Sequence, residues 1–478
     1  MKDKFYITTS IAYTNAPPHI GFALELVQAD VLARYHKKFA GDVFFLTGTD
    51  EHGIKIVRAA KEAGKTSIKF TDEISKKFKD LTKALNLSNG DFIRTTDRKR
   101  HWPSVRKVWL AIKKKSDLYK RRYQGLYCVG CEAFVKERDL IEGACPIHKQ
   151  KPEIIKEENY FFRLSKYANI VKERITRGKI KIIPEGRKNE IISFINQGVE
   201  DVSISRSKDN LQWGVPVPDD DSQIIYIWFD ALINYLSALG YDKNSAKFKK
   251  YWPADVHCIG KDIFRFHALL WPAMLLSLGI SLPKTIFVHG YITSSGQKMS
   301  KSLGNVVDPF ELVKKYGADA VRYFLLREIP STEDGDFSED KFRERYNGDL
   351  ASGLGNLVAR VAKLAQVLKI KKVGNRKSLI ADYKIVLVAS KEKYKEFLDK
   401  FEFSTALSAI WALIKFCDQE VEKNKLWEKS DKQKDIINSL LLLIDEIAGL
   451  LEPFLPETSE KILKQLKTRK SELLFPRI

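Results

Sequence analysis

Long apolar runs are missing from this chain: no part of its 478 residues reaches the roughly 18–20 consecutive apolar positions that a bilayer-spanning helix needs. A membrane partner is therefore not expected. A cleaved leader is not expected either, because Met1 to Lys4 runs directly into the strand-like FYITTSIAY. Cysteine is scarce, with five residues in all, which excludes a disulfide framework and makes their spacing a question of metal or catalysis. Together these absences point to a cytoplasmic protein. Internal repeats, low-complexity tails and unstructured linkers are absent as well. At this length one core does not suffice, and two to four domains are expected.

What the chain has in excess is positive charge. Against 61 Asp and Glu stand 82 Lys and Arg, a formal net charge of +21 with a pI near 9.4. Such a balance fits a polyanionic partner or simply a solvated basic surface. Distribution narrows the choice, since residues 91–122 hold twelve Lys or Arg against three Asp, interleaved with Trp102, Trp109 and Tyr119. That local field suits a phosphate backbone.

The first 60 residues alternate strand-like and helix-like segments (FYITTSIAY, IGFALELVQADVLARYHKKFAG, DVFFLTG, IKIVRAAKEAG), the pattern of parallel βαβ units. A Lys- and Cys-rich section of short segments breaks the pattern, which resumes with SQIIYIWFDALINYLSALG and KTIFVHGYI. The expected fold is α/β: a Rossmann-type doubly wound parallel sheet, residues 1–115 and 224–295, interrupted by an inserted connective domain at 116–223. A lysine-bearing loop region at 296–349 follows, and helical periodicity then predicts a C-terminal α-helical bundle at 350–478.

Two motifs handle phosphate. In NAPPHIGF, His19 opens a helix after the first strand, where backbone N–H groups and the helix dipole attract an anion, and Gly21 lets a ligand approach the backbone. The second is Lys298-Met299-Ser300-Lys301-Ser302, whose two lysines can neutralise the β- and γ-phosphates of a nucleotide and a leaving pyrophosphate. Gly64-Lys65-Thr66 is not a Walker loop, because Ala59 stands where the leading glycine belongs. Cys128 and Cys131, and Cys145 and His148 after thirteen intervening residues, form C-x₂-C and C-x₂-H half-sites for one tetrahedral, structural Zn²⁺.

PPHIG and KMSKS together resemble the two signatures of class I aminoacyl-tRNA synthetases, and AYTNAPPHIG, FLTGTDEHG, GLYCVGCEAF, YIWFDALINY and GKDIFRFHALLWPAML are similar to the bacterial-type methionyl branch. The resemblance implies that L-methionine and ATP with Mg²⁺ form methionyl-adenylate and that the methionyl group passes to tRNA(Met). It implies phosphate contacts for His19, Lys298 and Lys301 and ribose contacts for Asp262. It assigns the methionine ammonium to Asp50 and the rest of that pocket to Ile11, Tyr13, Trp228, Leu232, Tyr235, Ile263 and His267. It places the zinc knuckle over the active site. It also gives Asn356, Arg360 and Trp427 the anticodon, and the end at FPRI a monomer.

Two positions depart from the family. Leu232 stands where some relatives have proline. Phe22 replaces the second histidine of the first signature, and a lost donor of that kind can cost up to about 100–1,000-fold in activation unless a neighbour substitutes. Phe22 is thus the one feature favouring a non-catalytic tRNA-binding paralogue. Synthetases for isoleucine, valine and leucine need a larger editing insertion than about 110 residues allow, and a cysteinyl enzyme needs zinc ligands in its amino-acid pocket.

Overall fold

The computed structural model describes residues 4–130, 132–146, 149–299, 304–370, 378–428, 430, 433–468 and 470–478. It divides into two compact units, the first made of residues 1–18, 36–82 and 88–288, the second of 19–35, 83–87 and 289–478.

The first unit is built on a six-stranded sheet of β1 (Lys4–Tyr13), β2 (Asp42–Asp50), β3 (Asp91–Arg94), β4 (Lys181–Ile183), β5 (Val256–Gly260) and β6 (Thr285–His289). Their order is β3-β2-β1-β5-β6-β4, and the pairs β3–β2, β2–β1, β1–β5 and β6–β4 are parallel. β1 is buried along nearly its whole length, as a strand covered on both faces must be. Val105, Val108, Trp109 and Ile112 of helix Trp102–Lys114, Val171 and Ile175 of Leu164–Thr176, and Trp271, Met274 and Leu275 of Trp271–Leu278 share its core. Strand order reverses between β1 and β5, so their carboxyl ends flank the crevice where such sheets bind ligands.

Two sequence expectations change here. The segment 116–223 is not uniformly irregular: it holds the helices Leu164–Thr176 and Glu185–Asn196, and between them β4 returns to the parallel sheet as its edge. Three residues are too short to show a period. The strand read from SQIIYI, Asp220–Ile225, lies outside the parallel sheet. It pairs antiparallel with Pro216–Val217 and Ser205–Ser207, neighbours only a short loop away in the chain. The clear insertion is the hairpin Leu118–Cys128 with Glu153–Phe162, antiparallel over ten residue pairs.

In the second unit five helices follow one another: Asn356–Val367, Ala381–Asp399, Phe403–Lys423, Gln433–Leu451 and Pro456–Thr468. Phe403, Ala406, Leu407, Ile410, Leu413, Ile414, Cys417 and Val421 make one buried stripe at helical spacing. Arg322 is fully buried, its Nη1 2.8 Å from Asp30, while the carbonyls of Leu85, Pro453 and Phe454 accept from its remaining N–H groups. No described helix is long and apolar enough to cross a membrane.

Candidate active site

In the second unit His19 opens the helix Ile20–Ala40. Its carbonyl accepts from the N–H groups of Phe22 (3.0 Å) and Ala23 (3.3 Å), its Nδ1 accepts from Gly21 N–H (3.1 Å), and Ile20 N–H donates to Val307 O (3.1 Å). The sequence suggested open N–H groups waiting for phosphate; all four are instead committed, because the imidazole folds back over its own turn. That leaves the ring as the donor. With Nδ1 accepting, the proton of the neutral imidazole sits on Nε2, on an exposed side chain. A side chain at Gly21 would put its Cβ 2.9 Å from His19 Cε1, so the glycine is required by the ring.

The bond from Ile20 to Val307 joins the histidine turn to the chain six residues beyond Lys301. Upstream, Gln297–Lys298 pairs antiparallel with Ile292–Ser294, Thr293 lying opposite Lys298. The Lys298 side chain and residues 300–303, Lys301 included, lie outside the described residues. In the first unit Asp262 is exposed in the turn Lys261–Ile263, at the carboxyl end of β5.

All the expected methionine-pocket residues fall in the first unit. Asp50 ends β2 directly opposite Tyr13 at the end of β1. Asp50 is 5% exposed, and its Oδ1 has no hydrogen-bond partner among the described residues. Burial, then the charge of Asp230, push its carboxyl well above the usual range, with Glu132 and Glu51 adding to the effect and the His52 N–H opposing it. A buried acceptor of this kind is expensive to leave unpaired and suits a cation.

The rings expected in the pocket have fixed orientations. Trp228 stacks face to face on Phe266, centroids 3.8 Å apart. His267 Nδ1–H donates to Ile263 O at 3.0 Å, so its Nε2 accepts the Tyr235 hydroxyl at 2.7 Å. Behind Tyr235, at 4.3 Å between rings, lies His257. Its Nε2 accepts from Trp271 Nε1–H (3.3 Å), so its Nδ1–H donates to Thr8 Oγ1 (2.7 Å). Burial, then His267, hold His257 well below its ordinary value, and it is neutral at pH 7. Leu232 is buried in the same core, with Ile11 and Ile263 partly buried against it.

Sequence reasoning missed a second layer. Asp230 is fully buried between two imidazoles, His52 Nδ1 at 2.7 Å and His101 Nε2 at 2.9 Å, and His101 Nδ1 reaches Ser237 Oγ at 2.8 Å. Burial works to raise the Asp230 carboxyl, but the two histidines outweigh it and leave it below the usual range. Glu132 was missed as well. Partners separated by 178 residues, as His52 and Asp230 are, leave no local pattern to read.

The thiols of Cys128 and Cys145 are both buried and neither is in a disulfide. Cys145 sits in a turn closed by Cys145 N–H to Gln150 O (2.9 Å) and Lys149 N–H to Cys145 O (2.7 Å). Cys131 and His148 lie outside the described residues, and among the described ones no group of three or more His, Cys, Asp or Glu is arranged so that it could hold a metal ion. In the second unit Arg360 lies 5.6 Å from the ring of Trp427, which is 53% exposed, and also pairs with Glu422 (2.6 Å) and Asp418 (3.5 Å). Asn356 is exposed one turn before Arg360.

Comparison with known proteins gives the same picture. The family model for tRNA synthetases class I (M) matches residues 5–151 and 137–362, and that for the anticodon-binding domain of tRNA ligase matches 387–476. A methionine–tRNA ligase of Caldanaerobacter subterraneus subsp. tengcongensis is 42% identical over all of this chain and 79% of its own length. One from Thermotoga maritima is 42% identical over 97% of this chain and 75% of its own. Among solved structures, Mycobacterium tuberculosis methionyl-tRNA synthetase in complex with methionyl-adenylate superposes with a TM-score of 0.91 at 37% identity, covering 99% of this chain and 100% of that one.

Proposed function

The chain belongs to the methionyl branch of the class I tRNA synthetases, and from that membership we propose how its own residues carry the ligation of L-methionine to tRNA(Met). The methionine carboxylate attacks the α-phosphorus of ATP and the bond to pyrophosphate breaks. A ribose hydroxyl at the 3′ end of the tRNA then attacks the acyl carbon of the adenylate, and AMP leaves. The observation that carries the assignment to methionine is the buried Oδ1 of Asp50, without a hydrogen-bond partner among the described residues, opposite Tyr13 at the strand ends. Asp50 takes the ammonium group. The rings of Tyr13, Trp228 and Tyr235, with Ile11, Leu232, Ile263 and His267, take the thioether chain, to which polarizable sulfur contacts suit ring edges.

On ATP, His19 donates through Nε2–H to a phosphate oxygen as negative charge grows there, beside Gly21, while Lys298 and Lys301 neutralise the departing pyrophosphate and Asp262 binds the ribose. Mg²⁺ would enter with ATP as part of the substrate and would offset the negative charge of its phosphates. The imidazole tautomer fixed by Gly21 supports the role of His19. Pyrophosphate exchange into ATP, measured with each of the twenty amino acids, tests this reading: exchange confined to methionine is expected, and none above background from pure protein would refute it and favour the paralogue that Phe22 suggests.

We further propose that Cys128, Cys131, Cys145 and His148 hold one Zn²⁺. Two buried thiols and the turn closing on Cys145 support this, as does the donor set itself. The metal, when bound, supplies folding free energy to the insertion and has no open position for catalysis. The exposed ring of Trp427 beside Arg360 supports stacking of an unpaired anticodon base, with Asn356 on the same helix face. Within this reading 1–115 and 224–295, with the edge strand Lys181–Ile183, belong to the catalytic domain, the hairpin Leu118–Cys128 with Glu153–Phe162 to the connective insertion, 296–349 to the loop region and 350–478 to the anticodon domain, in a protein of the cytoplasm.

A further inference from the structure

Glu132 lies in the turn between strands Leu118–Cys128 and Ala133–Val135, held in the left-handed region (φ 50°) and 4% exposed. Its carboxylate is fully engaged. Oε1 accepts the Tyr13 hydroxyl at 2.7 Å and the Lys55 N–H at 2.9 Å, and Oε2 accepts the Tyr127 hydroxyl at 2.7 Å.

Each contact reaches a different part of the pocket. Lys55 is the second residue of helix Ile54–Glu62, whose N-cap, Gly53, has no side chain to satisfy a first-turn N–H. Glu132 does so from a distant part of the chain, placing negative charge at the positive end of the helix. That helix begins where the turn carrying Asp50 ends. Gly53 adopts φ 109°, and a Cβ there would fall 2.6 Å from the Tyr13 hydroxyl oxygen and 3.0 Å from Glu132 Oε1, so the three groups are in close contact with no spare volume. Burial, then the charge of Glu132, raise the Tyr13 phenol well above its ordinary value, which keeps it a donor.

We propose that Glu132 is a positioning residue for methionine: through Tyr13 and the Lys55 N–H it holds the Asp50–Gly53 turn in the geometry that meets the ammonium group. The hairpin that carries Cys128 and Cys131 is thereby part of the amino-acid site, not only a structural insertion. The inference rests on the methionine-ligase reading of the pocket.

Glu132→Gln keeps the size and removes the charge. With the metal content of the protein unchanged, the KM for methionine in pyrophosphate exchange and the Kd for methionine by calorimetry should both rise about tenfold to a hundredfold, the worth of a charge-assisted hydrogen bond. The KM for ATP should stay within about twofold. Tyr13→Phe should act in the same direction, and the double variant should be little worse than either single one, as residues in one network behave. Tyr127→Phe, which frees Oε2 without touching the pocket, should give a smaller rise of the same kind and serves if Glu132→Gln does not fold. A folded Glu132→Gln protein with wild-type methionine affinity, a parallel rise in both KM values, or fully additive singles would overturn the proposal. Wild-type protein that binds methionine without exchanging pyrophosphate would count against the ligase reading alone, and calorimetry would still read the part played by Glu132.

Discussion

Replacing Asp50 by asparagine should move function and stability in opposite directions. In the empty pocket this carboxyl is buried, surrounded by the carboxylates of Asp230, Glu132 and Glu51, and has one oxygen without a partner among the described residues. Its folded pKa therefore lies well above the unfolded value of 3.8. The folded chain holds the proton more tightly than the unfolded one. Stability from this group is thus full below the unfolded value and is lost as pH rises through the folded one. At pH 7.5 this carboxyl, whose folded pKa is raised, costs stability in the absence of ligand, and Asp50→Asn removes that cost. Each kcal/mol regained raises Tm by about 2–4 °C in domains of 150–250 residues. Methionine binding needs the charge that folding disfavours. Removing one partner of a buried ion pair costs about 3–5 kcal/mol, so the KM for methionine should rise by roughly two to nearly four orders of magnitude. Wild-type affinity for methionine should also weaken as pH falls below the raised pKa, with a slope near one decade per pH unit, and the variant should lose that slope. Pyrophosphate exchange across a pH series and thermal denaturation without ligand measure the two effects. An Asp50→Asn protein with a lower Tm, or with near-native methionine affinity, would refute the reasoning.

Cys145→Ser should release zinc, seen by elemental analysis, and speed amide exchange in residues 115–160; an unchanged zinc content would count against the four-ligand site. Trp427→Ala should weaken aminoacylation of tRNA by about 1–3 kcal/mol, the worth of a stacked base, while leaving pyrophosphate exchange nearly intact. Equal loss in both assays would show that the ring serves folding. Arg322→Ala removes one of the two arginines paired with buried Asp30, Arg34 remaining 2.8 Å from it, and leaves the carbonyls of Leu85, Pro453 and Phe454 without their Arg322 donors. At about 1–3 kcal/mol for each buried group left unsatisfied, denaturant unfolding should show a loss of at least about 3 kcal/mol.

The sequence by itself was enough for whatever rests on short-range pattern. The βαβ alternation of the first 60 residues yields β1, β2 and the helices around them, because burial on one or both faces leaves a period in the side chains. The C-terminal helices were legible for the same reason. PPHIG, KMSKS and the C-x₂-C and C-x₂-H pairs could be read as motifs because they hold set residue types at set spacing, and the roles drawn from them are proposals. What depends on partners far apart in the chain was decided only by the tertiary structure. The three residues of β4 carry no period, and only the vacant edge beside β6 makes them a strand. The donors of the first turn after β1 read as open in sequence, yet the ring of His19 and the carbonyl of Val307 occupy them. Asp230 reads as one acid in a helix, and Glu132 as a charge on a loop, until folding brings two histidines to one and two tyrosines to the other. A hydrogen bond constrains distance in space and leaves no mark on spacing in the chain, which is why the motif residues could be read early and the buried partners of Asp230 and Glu132 could not.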